Sequence, residues 1–296
     1  MGERLWKIGE NVVDLSKRGM IMGVLNVTPD SFSDAGEFFA TDAAIESGIK
    51  MALEGADIID VGGESTRPGA EPVSVQEELR RVIPVIEGLR AKIDPSSPNA
   101  SPARTYGAAG ISISIDTSKS EVANAALDAG ASIINDVTAG RGDERMLSLA
   151  AKRKATIVLM HMQGEPRTMQ KDPHYEDVVT EVADCFRQQY ARALECGVDP
   201  MAIAFDPGIG FGKTLEHNLT LLKNFERLRV HDRPLAVGVS RKSFLGKLVN
   251  SSEMSERAAP TIALTAILRA RGADILRVHD VKENVAAMRA AEAVLT

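Results

Sequence analysis

Two hydrophobic patterns alternate along the chain. Short runs rich in Ile and Val, each ending in Asp, Asn, Gly or Ser, are followed by longer stretches whose apolar residues recur at spacings of three and four. The first pattern is typical of strands buried on both faces, and the second is typical of amphipathic helices. The short runs predict eight strands, at Met20–Val27, Asp57–Val61, Ile111–Asp116, Ser132–Asp136, Thr156–Met160, Ile203–Asp206, Leu235–Val239 and Asp274–Val278.

Helices are predicted between the strands, at Asp42–Glu54, Val75–Ala91, Ser120–Asp128, Glu144–Lys152, Glu176–Glu195, Leu215–Leu228, Glu256–Ala270 and Lys282–Val294. Two segments, Ser74–Glu77 and Ser118–Glu121, match the capping box that starts many helices. Glycines follow several helix ends, where a left-handed residue is usual, at Gly55, Gly130, Gly197 and Gly272.

Eight alternating units predict a single-domain α/β fold, a (β/α)8 TIM barrel, with residues 1–19 as an N-terminal lead-in and residues 20–296 as the barrel domain. An open doubly wound sheet is the alternative, but it usually has fewer strands. The segment Ile93–Gly110, rich in Pro, Ser, Ala and Gly, fits neither pattern. We expect it to be an exposed loop at the end of the barrel remote from the chemistry.

Composition narrows the function. Hydrophobic residues make up 44% and charged residues 26%, as in a globular protein that is not embedded in a membrane. A net charge of −6 argues against a nucleic-acid partner, although a local cluster of cations could still bind a small anion. No apolar run suggests a secretory signal or a membrane span. Cys185 and Cys196 are expected to be free thiols, so a cytoplasmic location is predicted.

Polar residues stand where the strands end, which is where TIM barrels carry their active sites. They are Asn26, Asp60, Glu64, Asp116, Asn135, His161, Asp206, Ser240, Lys242, Arg277 and His279. In any protein about half of such residues would only cap helices or form turns. Arg277 and His279, however, share one face of the last strand, and Lys242 ends the strand before it. These three predict a cationic cluster where this fold usually binds phosphate.

The glycine-rich segment "DPGIGFGKT" (Asp206–Thr214) resembles a nucleotide-binding P-loop but has three residues instead of four between Gly208 and Gly212. We interpret its glycines as serving turns and close backbone approach. Asp206 suits the paired N–H groups of a guanine-like or pterin-like ring, and Asn135 suits a heterocycle edge. A buried carboxylate at Asp116 would also need a donor, which a substrate can supply.

Seven segments, in order along the chain from about Met20, resemble signature blocks of the dihydropteroate synthases. They are "NVTPDSFSD" (Asn26–Asp34), "GGESTRPGA" (Gly62–Ala70), "SIDTSKSEV" (Ser114–Val122), "INDV" (Ile134–Val137), "DPGIGFGKT", "SRKSFLG" (Ser240–Gly246) and "RVHDV" (Arg277–Val281). Members of that family join 6-hydroxymethyl-7,8-dihydropterin diphosphate to 4-aminobenzoate in folate biosynthesis. They release diphosphate and are targets of sulfonamides, which mimic the aminobenzoate.

The resemblance implies roles for individual residues. The implied pterin ligands are Asp116, Asn135, Asp206 and Lys242, and the implied diphosphate ligands are Arg277 and His279. Asn26 is implied to help bind Mg²⁺. The implied contacts of the aminobenzoate are Ser243, at the start of a short helix, Phe211, and the loop residues Phe32, Asp34, Thr66, Arg67 and Pro68, which would close over it. The expected catalytic group is Asp116, Lys242, Arg277 and His279, and a homodimer is also implied.

The sequence leaves two other functions open. A pterin-dependent methyltransferase would share the barrel and the pterin-binding Asp and Asn residues, but would not need the "SRKSFLG" and "RVHD" segments. A non-catalytic pterin- or phosphate-binding barrel is the other alternative. His161 is interpreted as a hydrogen-bonded residue at a strand end and not as a metal ligand.

Overall fold

A computed structural model describes residues 2–28, 37–65, 71–93, 110–164 and 168–295. Within them, the eight predicted strands are confirmed to within one residue at each end. They are β3 (Met20–Asn26), β4 (Ile58–Gly62), β5 (Ser112–Asp116), β6 (Ile133–Asp136), β7 (Thr156–Met160), β8 (Ile203–Asp206), β9 (Ala236–Gly238) and β10 (Ile275–Val278).

The eight strands form one parallel barrel. Neighbours pair in the order β8-β7-β6-β5-β4-β3-β10-β9, and a parallel bridge between Phe205 and Leu235 joins the two ends of that series. Because the sheet closes on itself, the TIM-barrel prediction is confirmed and the open-sheet alternative is wrong. Closure brings the carboxyl ends of all eight strands around one opening.

Helices cover the outside of the barrel. In the described residues they are α1 (Glu37–Glu54), α2 (Val75–Ile93), α3 (Ser120–Ala129), α4 (Met146–Arg153), α5 (Val178–Glu195), α6 (Leu215–Lys223), α7 (Ser243–Leu248), α8 (Ala258–Ala270) and α9 (Val281–Leu295). The predicted helix Leu215–Leu228 is split, because Asn224 turns the chain and its side chain donates to the Thr220 carbonyl over 2.9 Å. A separate 3₁₀ turn at Phe225–Leu228 follows.

The predicted helix ends are partly correct. Gly55, Gly130, Gly197 and Gly272 all have positive φ angles, as expected after a helix. Ser74 accepts a hydrogen bond from the Glu77 amide over 3.2 Å, which confirms that cap.

The cap predicted at Ser118 is wrong. Helix α3 begins at Ser120, whose amide donates to the carboxylate of Asp143, 23 residues later, over 3.0 Å. The local sequence pattern does not indicate a helix cap that comes from a distant loop.

An N-terminal hairpin occupies the amino end of the barrel. Its strands, β1 (Leu5–Ile8) and β2 (Asn11–Asp14), are antiparallel, and Trp6 is fully buried. Trp6 packs into a cluster formed by the first inward residues of the strands, among them Met20, Ile58 and Ile275. Apolar side chains therefore fill this end, and the polar inward side chains lie at the carboxyl end. The sequence pattern did not predict the hairpin.

Two further findings concern membrane-spanning helices and the state of the cysteines. Among the described residues, no helix is long and apolar enough to cross a membrane. Cys185 and Cys196 are both free thiols, as predicted.

Candidate active site

One row of polar side chains crosses four neighbouring strands at the carboxyl end. The strand register aligns Asn26 with Gly62, Gly62 with Asp116, and Asp116 with Asn135. A Cβ atom at Gly62 would lie 3.5 Å from the Asp116 Cβ and 3.8 Å from the Asn26 Oδ1. Because Gly62 has no side chain, Asn26 and Asp116 face each other across it.

Arg277 bridges two carboxylates beneath this row. Its Nε donates to Asp60 Oδ2 over 2.6 Å, and its Nη2 donates to Asp116 Oδ2 over 2.7 Å. No hydrogen bond of its Nη1 is found among the described residues, so that nitrogen remains available to a ligand. The guanidinium is thus fixed in orientation with one edge still open.

Asp60 was not among the predicted site residues, although the sequence places it at a strand end. It is fully buried, and its Oδ2 also accepts a hydrogen bond from Asn135 Nδ2 over 3.0 Å. The signal that could have identified it is the alternation in "DIIDV", which puts Asp60 on the same face as Ile58, inside the barrel.

Burial and charge shift the pKa values of these groups. Burial, together with the nearby Asp60 carboxylate, raises the pKa of Asp116 to about 7, although Arg277 opposes the shift. Burial alone would lower the pKa of Arg277, but Asp60 and Asp116 raise it above its ordinary value. Arg277 therefore stays charged, whereas Asp116 is poised to titrate near neutral pH.

The glycine-rich segment 206–214 wraps tightly against the chain that follows β7. Gly208 and Gly212 have φ angles of 61° and 60°, and a Cβ atom at either would overlap a backbone carbonyl, that of His161 or that of Gln163. Both positions therefore require glycine for conformation and for close approach.

Lys213 points into this loop and not towards a ligand. Its Nζ contacts His161 Nδ1 at 2.9 Å and donates to the carbonyls of Gly208 and Phe211, each over 3.0 Å. Burial lowers the pKa of Lys213 to about 7, and burial beside Lys213 lowers that of His161 to about 2. The loop is therefore not a P-loop, and the interpretation of His161 as a hydrogen-bonded strand-end residue is confirmed.

Lys213→Met should lower the free energy of unfolding by at least about 2 kcal/mol, because it leaves buried carbonyls without a donor. Urea denaturation measures this. Lys223→Met, at an exposed position in α6, is the matched control and should change stability little. Equal stability of the two variants would show that Lys213 does not hold the loop.

Lys242 and Asp206 lie on the other side of the opening. The Lys242 ammonium donates to the Ile209 carbonyl and lies 4.6 Å from the centroid of the Phe211 ring. Asp206 Oδ1 accepts from the Gly208 amide over 2.7 Å. Burial raises the pKa of Asp206 and lowers that of Lys242 to about 8, while each charge partly offsets the shift of the other.

The structure describes some of the other predicted site residues, and the rest lie outside the described residues. His279 Nδ1 lies 3.0 Å from Ser240 Oγ, which holds the ring at the end of β10. Ser243 is exposed at the first position of α7. Phe32, Asp34, Thr66, Arg67 and Pro68 lie outside the described residues, as does most of the Ile93–Gly110 segment.

The described residues contain no group of three or more His, Cys, Asp or Glu side chains that could hold a metal ion. A metal here would therefore need ligands of another kind, such as an amide oxygen and substrate oxygens.

Comparisons with known proteins show the family of this chain. The family described as pterin binding enzyme matches residues 22–279. The dihydropteroate synthase of Synechocystis sp. is 45% identical over 287 residues, which is 97% of this chain and 94% of that protein. The chain belongs to the pterin-binding enzymes and, within them, to the dihydropteroate synthases, which are transferases.

Solved structures show the same fold with relevant ligands. The Xanthomonas albilineans dihydropteroate synthase with 4-aminobenzoic acid is 40% identical, with a TM-score of 0.87 over 100% of this chain and 99% of that one. The same enzyme in complex with 7,8-dihydropteroate is 38% identical, with a TM-score of 0.84 over 99% of each chain.

Proposed function

We propose that this member of the dihydropteroate synthases joins 6-hydroxymethyl-7,8-dihydropterin diphosphate to 4-aminobenzoate and releases diphosphate. The observation that carries this proposal is Arg277, which two carboxylates orient and which keeps one nitrogen open at the rim of the barrel. The ligands named for the related structures support the same reaction.

The pterin ring is assigned to the opening between the two polar groups of the site. Asp116 and Asn135 lie side by side in the strand register, and Asp206 and Lys242 lie across from them. Carboxylate and amide oxygens accept from ring N–H groups, and the ammonium donates to the ring carbonyl. These four residues supply both the acceptors and the donor that a pterin edge needs.

The chemistry then depends on charge stabilisation. The bond between the pterin methylene carbon and a diphosphate oxygen breaks, and the amine nitrogen of 4-aminobenzoate bonds to that carbon and loses a proton. Arg277 and His279 stabilise the departing anion, and Asp116 stabilises positive charge on the ring. An arylamine is already a nucleophile, so no activating Ser-His or Cys-His pair is required.

Three further features of the proposal concern the second substrate, the assembly and the cellular compartment. Phe211 offers an aromatic face beside Lys242, where the aminobenzoate ring can pack, and Ser243 can meet its carboxylate. A homodimer is supported by exposed apolar side chains on and around α7 and α8, namely Leu248, Val249, Met254 and Ile267. Free cysteines fit a reducing compartment such as the cytoplasm.

Mg²⁺ is proposed as the cofactor, with Asn26 as its protein ligand. An amide oxygen at the end of β3 fits a cation that usually takes few protein ligands and completes its shell with phosphate oxygens and water. When bound, the ion would neutralise charge on the diphosphate. Asn26→Ala should raise the Mg²⁺ concentration for half-maximal turnover about tenfold or more. An unchanged Mg²⁺ dependence would move the metal away from Asn26.

The proposed function is tested by diphosphate release. With Mg²⁺ and both substrates, the protein should form dihydropteroate and diphosphate in equal amounts, and omission of 4-aminobenzoate should abolish dihydropteroate formation. A methyltransferase or a non-catalytic binding protein would bind the pterin without releasing diphosphate in this assay. That result would reject the synthase proposal.

Turnover is expected to fall on the acid side of pH 7, because Asp116 has a pKa of about 7 and acts as a carboxylate. A pH profile of kcat/KM should show this limb. Asp60→Asn should shift the limb to lower pH, since the Asp60 charge raises the pKa of Asp116. A limb at the same pH in this variant would assign the titration to another group.

A further inference from the structure

Asp60 has no contact assigned to substrate, yet it touches two of the proposed ligands. A single oxygen, Oδ2, accepts both from Arg277 Nε at 2.6 Å and from Asn135 Nδ2 at 3.0 Å. Asp60 is fully buried one level below the row that contains Asp116 and Asn135. It therefore lies beneath the floor of the ring site and acts through its neighbours.

The contact with Asp60 decides which end of the Asn135 amide faces the ring. A carboxylate only accepts hydrogen bonds, so the NH₂ group of Asn135 must be the end that points at Asp60. The guanidinium of Arg277 donates to the same oxygen, so Asp60 Oδ2 accepts from both neighbours. The Asn135 Oδ1, which makes no hydrogen bond among the described residues, is then the atom presented to the ligand.

With the Asn135 amide in this orientation, the side of the ring site formed by Asn135 and Asp116 prefers a ligand edge that donates hydrogen bonds. Asn135 is the strand-register neighbour of Asp116, and an amide oxygen and an ionised carboxylate both accept hydrogen bonds and donate none. A ring edge with N–H donors satisfies them. A ring with a carbonyl in the same place leaves buried acceptors facing one another, which costs free energy on both sides.

We infer that Asp60 is a specificity-determining positioning residue, which locks the Asn135 amide so that the site selects a 2-amino ring over its 2-oxo analogue. The inference rests on the proposed function, because it takes the ring site as the pterin site. Without the Asp60 charge, the Asn135 amide can rotate and present its NH₂ group, which a 2-oxo ring would accept.

The test compares two probes by calorimetry, 6-hydroxymethylpterin and 6-hydroxymethyllumazine, which carries oxygen in place of the 2-amino group. Native protein should prefer the pterin by about 100-fold or more. Asp60→Asn should reduce this preference at least tenfold. Asp57→Asn is the matched control, because Asp57 precedes the same strand but pairs with Arg18 on the outside of the barrel. It should leave the preference unchanged.

The outcomes separate the inference from the proposed function. If Asp60→Asn weakens both probes equally, Asp60 is merely structural and the inference is overturned. If native protein binds neither probe, the proposed function fails and the inference fails with it. Asp60→Ser is a second variant, which removes the charge with a smaller side chain. If either variant folds and keeps the native preference for 6-hydroxymethylpterin over 6-hydroxymethyllumazine, the inference is overturned.

Discussion

Arg277→Ala is expected to lower turnover by about 10³-fold, because it removes a preorganised cation from the departing diphosphate. Arg277 also separates Asp60 from Asp116 and lowers the pKa of Asp116. Without it, Asp116 will hold its proton at neutral pH, so pterin binding should weaken at pH 6.5 and stay near that of the native protein at pH 8.5. Steady-state kinetics and calorimetry at both pH values measure the two effects.

The same variant should be less stable by about 3–5 kcal/mol, since a buried carboxylate at Asp60 loses its cationic partner. The double variant Asp60→Asn with Arg277→Ala provides the control. It removes the unpaired charge, so it should recover much of the stability while turnover stays low. If turnover recovered together with stability, the role of Arg277 would be structural and not catalytic.

Asp206→Asn should weaken pterin binding by about 100-fold, because it replaces a charged acceptor in the ring site with an amide. The exchange keeps the shape of the side chain, and the amide oxygen can still accept from the Gly208 amide. The glycine-rich loop should therefore keep its conformation, and the melting temperature should change little. Calorimetry with 6-hydroxymethylpterin gives the dissociation constant.

Asp184→Asn is the control for Asp206→Asn. Asp184 is exposed on α5, remote from the ring site, and pairs with Arg187 three residues later. It should bind pterin as the native protein does. If Asp206→Asn leaves the dissociation constant unaltered, Asp206 does not contact the ring. The ring then lies nearer the Asp116 side of the opening.

The outline of the site could be predicted from sequence because its components are local. Alternation within "DILRV" puts Arg277 on an inward face, and the end of a short apolar run marks the mouth of the barrel. Asn26, Asp116, Asn135 and Asp206 were placed there in the same way, and the strands confirm those positions. The signal is strong because a strand buried on both faces must be apolar until it ends.

Local sequence patterns could not predict the hydrogen-bond partners of these residues. Arg277 and Asp60 are 217 residues apart, and their contact depends on the register of strands across the closed barrel. Lys213 shows the same limit, since no local pattern indicates that the fold buries it against His161 and two carbonyls of its own loop. Hydrogen-bond partners are selected by packing, which short-range periodicity does not encode.

The sequence by itself determined the barrel, the face of each strand and the set of polar groups at its mouth, because hydrophobic period and strand ends are properties of consecutive residues. Only the tertiary structure decided which donor meets which acceptor. It pairs Arg277 with two carboxylates, turns the Asn135 amide towards Asp60 and closes the amino end with a hairpin. Those choices follow from which atoms burial brings within about 3 Å of each other, and that depends on the whole closed sheet.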